Sequence, residues 1–103
     1  MEQETNYKVT QRPIGPAGWI DYTENGKVLS FPREPITNGF SILVPSEQEW
    51  NNFCSENLAN WAMNRRSAII ENLISEMRNA YNINGVSVNP PWIEVRYKRF
   101  FGS

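Results

Sequence analysis

The chain has 103 residues, room for one compact domain and no second core. Leu, Ile, Val and Phe together number 24, above the level at which a chain stays disordered. The 10 basic and 11 acidic residues nearly cancel, which argues against a dedicated polyanion binder.

There is no histidine and a single cysteine, Cys54. That inventory excludes Ser-His-Asp and Cys-His catalysis, disulfides within one chain and zinc sites built from Cys and His. No apolar run approaches the roughly 18 residues of a membrane span. Met1-Glu2-Gln3-Glu4 is acidic where a signal peptide is basic. The expected location is the cytoplasm.

Residues 1–17 are polar and interrupted by Pro13, Gly15 and Pro16. They read as an irregular lead-in, with at most a short extended piece at Tyr7–Thr10. A single domain then occupies 18–103. Asn25-Gly26 lies between two β-prone runs, Trp19–Glu24 and Lys27–Phe31, and favours a two-residue type I′ turn. That turn sets the register. Ile20, Tyr22, Leu29 and Phe31 share one face, Asp21, Thr23, Val28 and Ser30 the other, and Glu24 pairs with Lys27 at the tip. Pro32 and Pro35 are expected to end this hairpin.

Phe40–Val44 reads as a short buried strand. Ser46-Glu47-Gln48-Glu49 has the capping-box pattern and opens a helix over about 46–57, with Trp50, Phe53 and Cys54 at helical spacing. Cys54 reads as a small core residue. A second helix is expected from about Asn64 to Tyr81, its stripe formed by Ile69, Ile70, Leu73, Ile74, Met77, Ala80 and Tyr81 and its polar face by Glu71, Asn72, Ser75, Glu76, Arg78 and Asn79. Val86–Val88 and Trp92–Tyr97 close the chain as strands. The order strand, strand, strand, helix, helix, strand, strand predicts a two-layer α+β domain, a mainly antiparallel sheet of about five strands with both helices on one face.

The carboxylates offer no pair placed by local geometry for acid–base work. No glycine-rich phosphate loop or calcium loop is present, and the expectation is no cofactor and no metal. Arg65-Arg66 lack acidic residues three or four positions away. Either they reach a distant carboxylate such as Asp21, or the helix begins earlier, at Asn60, and holds them in its second turn, or they face an anion or an acidic partner. Trp61, just before them, either plugs the end of the core or anchors recognition. Arg96, Lys98, Arg99 and Phe100 interleave cations and aromatics, a mixture that suits single-stranded nucleic acid or an ordinary terminal strand.

The expectation is a non-enzymatic protein-interaction module whose partner is another protein, met at Trp61, Arg65 and Arg66. Size, charge and absent chemistry fit an inhibitor, an immunity-type protein or an accessory subunit. The rival is a nucleic-acid binder using Arg96, Lys98, Arg99 and Phe100.

Overall fold

A computed structural model describes residues 6–15, 17–80, 83–89 and 91–98. Six antiparallel strands form one sheet: β1 (Tyr7–Ile14), β2 (Ala17–Glu24), β3 (Lys27–Ile36), β4 (Gly39–Leu43), β5 (Ile83–Asn89) and β6 (Trp92–Tyr97). They lie in the order β1-β2-β3-β4-β6-β5. Between β4 and β5 the chain makes helix α1 (Glu47–Glu56), a 3-10 turn (Asn60–Ala62) and helix α2 (Arg66–Asn79). This is the expected α+β class.

The β2–β3 register is the one the Asn25-Gly26 turn dictates, from Glu24 opposite Lys27 to Ile20 opposite Phe31. Both turn residues have positive φ, 52° at Asn25 and 82° at Gly26, as a type I′ turn requires. Ile20, Tyr22, Leu29 and Phe31 are buried. The helices cover this face, since Trp50 and Phe53 of α1 stack on Phe31 and Asn72 of α2 bonds Tyr22. Phe40, Ile42, Ile93 and Val95 extend the same core across the sheet, and Cys54 sits inside it as a free thiol whose ionisation burial pushes up.

Three sequence readings need correction. The lead-in contains a sixth strand, β1, paired with β2 along its whole length. Pro13 is tolerated there because an edge strand has one side on which no donor is needed, and Gly15, at φ 61°, begins the turn into β2. Pro32 and Pro35 do not end β3, which runs on to Ile36. Each lies outside one of the two ladders flanking β3, Pro32 before the first β3–β4 pair and Pro35 beyond the last β2–β3 pair, so its missing donor costs little. Finally, α2 spans 66–79 rather than 64–81, and Tyr81 lies outside the described residues. Asn64 does not cap α2. It adopts φ 64°, its backbone N–H donates to Asn51 Oδ1 at 3.0 Å, and its own amide oxygen accepts from Asn51 Nδ2 at 3.2 Å.

Helix α1 begins as the capping pattern predicts, with Ser46 Oγ accepting from the Glu49 N–H at 3.3 Å. Its other end turns the chain back on itself. Leu58 N–H donates to Ser55 O and Ala59 N–H to Cys54 O, the bonding pattern of a Schellman motif with Leu58 at the left-handed position. The chain reverses there, Ala59 is buried, and the 3-10 turn that follows carries Trp61.

Candidate protein-binding site

Trp61 and Arg65 meet at Tyr22, on the inner face of the hairpin near its tip. The Trp61 ring lies nearly parallel to Tyr22, with centroids 6.4 Å apart, and Tyr22 stacks in turn on Tyr7 at 5.8 Å. The Tyr22 hydroxyl donates to Glu24 Oε2 at 2.6 Å and accepts from Asn72 Nδ2 at 2.9 Å. Burial, with the Glu24 hydrogen bond second, pushes the Tyr22 phenol up to about 12. Glu24, only 4% exposed, is also held by the Arg65 guanidinium through Nη1 to Oε1.

The tip pairing expected between Glu24 and Lys27 is therefore replaced by an inward one. The two residues face each other in the ladder, but the carboxylate turns into the core, where Arg65 offers a charge-assisted bond in a less hydrated setting. Arg65 reaches a distant carboxylate, and that carboxylate is Glu24 rather than Asp21. Asp21 lies on the opposite face, where a hydrogen bond from Arg12 and a second from Ser30 lower its carboxyl. Arg66 Nε donates to Pro45 O at 2.9 Å. Cations at a helix start are disfavoured by roughly 0.3–1 kcal/mol each, and at Arg65 the Glu24 carboxylate offsets that. Both arginines border a depression of about 490 Å³ between the starts of α1 and α2.

Of the three residues the sequence singled out, Trp61 alone lines a depression that exposed hydrophobic residues share. It lines a second depression, of about 700 Å³, with Lys27, Val28, Ser55, Leu58 and Asn60. Val28 is 51% exposed and Leu58 92% exposed. Leu58 was missed because a leucine after a helix ordinarily reads as core. The signal available was a leucine, instead of Gly or Asn, directly after the Asn57 cap of helix α1.

The nucleic-acid candidates gather less well. Arg96 is occupied by Thr37 O and Glu94, Lys98 is exposed beside it, and Arg99 and Phe100 lie outside the described residues. Among the described residues no group of three or more acidic or sulfur-bearing side chains could hold a metal ion, and no helix is long and apolar enough to cross a membrane. No protein-family model, curated protein or solved structure matches this chain.

Proposed function

We propose that the protein acts without catalysis, by binding another protein through the end of the molecule built from the β2–β3 tip, the α1 terminus and Trp61. The observation that carries this reading is Leu58. At φ 55° it occupies a conformation that disfavours L-residues with a Cβ by roughly 1–2 kcal/mol, and Gly would relieve the strain. Its side chain recovers nothing inside the protein, being 92% exposed. A local rule broken with no gain in the fold marks a site used for something else, and a large apolar side chain beside an accessible tryptophan is the make-up of a protein-binding hot spot.

Arg65, spent on Glu24, contributes to this site as a support for the Tyr22–Trp61 stack rather than as a contact. An inhibitor or immunity-type role adds one requirement, that the bound partner loses its own activity. The test is a photo-crosslinking residue placed at position 58 or, as a control, at Glu71 on the exposed face of α2, in cells that naturally make the protein. The expected outcome is a discrete protein adduct from position 58 alone. The same adducts from both positions, or an adduct to nucleic acid, would refute the reading.

A further inference from the structure

The partner's chemistry can be read from the one charge this surface leaves unanswered. Lys27 lines the depression beside Leu58 and Trp61, and the carboxylate facing it across the turn has been taken inward by Tyr22 and Arg65. Among the described residues Lys27 makes no ion pair or side-chain hydrogen bond. Lys8 is in the same state, two strands away from Val28 in the register row Lys8–Thr23–Val28 on the outer face of the sheet. Glu56, at the end of α1, bonds Asn52 and does not line the depression. The surface thus combines a slot of mixed polarity, in which Leu58 and Trp61 are the large apolar side chains on the helical side and Ser55 and Asn60 the polar ones, with a cation at its rim, and its complement is a carboxylate next to a large apolar side chain.

We propose that this site takes an acidic segment of a partner protein, with an Asp or Glu on Lys27 and a Leu-, Phe- or Trp-sized side chain in the slot. The proposal rests on the protein-binding reading above and specifies its partner. A polyanion such as nucleic acid is disfavoured, because the slot offers a single rim cation instead of a track of phosphate contacts. The unpaired lysine acts in two ways: it steers an acidic segment on approach, and it rejects basic segments that would otherwise match the slot.

The test pans a displayed library of random short peptides on the immobilised full chain, then titrates the selected peptides, made with a fluorophore, in solution. The expected result is enrichment of Asp or Glu close to Leu, Phe or Trp. Lys27→Glu should weaken those peptides by about tenfold or more, on the scale of a disrupted hot spot. The library panned again on that variant should then favour Lys or Arg. Leu58→Gly should weaken them similarly while circular dichroism shows the fold intact. Apolar peptides without acids, binding wild type and Lys27→Glu alike, would overturn the acidic partner and leave the protein-binding reading standing. Failure to enrich any peptide, or peptides indifferent to Leu58→Gly, would overturn both. So would salt-steep binding of a labelled oligonucleotide that Lys27→Glu abolishes.

Discussion

Glu24 stands opposite Lys27 in the ladder, yet its carboxylate is bonded to Tyr22, two positions back along its own strand, and to Arg65 at the start of α2. Local pairing rules identify the residue across the turn but carry no knowledge of a cation 41 positions away. That is why the sequence placed this acid at the surface and Asn72 on a solvent face, when Asn72 in fact donates to the Tyr22 hydroxyl. Removing one partner of a buried charge strands the other. Arg65→Ala should accordingly lower stability by about 1–3 kcal/mol, read as a shift of the urea midpoint, whereas Arg66→Ala should change it little. The Tyr22 phenol adds a pH dependence. It ionises near 10 when unfolded and about 12 when folded, so the native state holds its proton longer. The resulting stability is fully present below about pH 10 and is lost as pH rises through the interval to about 12. Between about pH 9 and pH 11.5, wild type should therefore lose more stability than Tyr22→Phe. Parallel losses would show that the phenol is no more buried than a free tyrosine.

Elements were legible where local chemistry decides them. Asn25-Gly26 specified a turn, a register and the face of four core residues, and Ser46 marked the first turn of α1. Strand β1 and the second half of β3 were not legible, because Pro13, Pro32 and Pro35 interrupt a strand only where a neighbour needs their donor, and neighbours are fixed by topology. The α1 terminus is the reverse case, an ordinary motif hidden by an unsuitable residue. The Schellman bonds from Leu58 and Ala59 are both made, with Leu58 at φ 55°. Leu58→Gly should thus raise stability, by about 1 kcal/mol, since the relief of left-handed strain exceeds the extra freedom Gly gives the unfolded chain. The same change removes the exposed leucine side chain from the proposed site. A stabilised variant that binds worse is the signature to look for in paired melting and titration experiments; a destabilised one would mean that Leu58 packs against the fold.

Across the whole molecule, the strand order has one neighbouring pair that is not joined by a turn, β4 with β6. Its close approach constrains the chain most tightly at Gly39, where a Cβ would run into the backbone carbonyl of Val95. Gly39→Ala should force the ladder apart there and cost roughly 1–3 kcal/mol, the scale for overpacking, visible as a lowered melting temperature; an unchanged one would show that the two strands can separate freely at that end.

The β4–β6 seam also has a kinetic meaning. Strands β1 to β4 form a meander whose pairings are all between sequence neighbours, and β5–β6 is a hairpin of its own. Leu43 and Trp92, by contrast, meet across about fifty positions of chain holding both helices, a loop whose closure entropy must be met before the contact contributes. The meander is thus the natural nucleus and the seam the late step. Leu29→Ala should mainly slow refolding, and Val95→Ala should mainly speed unfolding, in stopped-flow denaturant jumps. The opposite pattern would place the helices and the C-terminal hairpin first. With the seam last, the β2–β3 tip that carries Lys27 and Val28 takes shape early, and the slot it shares with Leu58 and Trp61 is completed only when the helical insert docks.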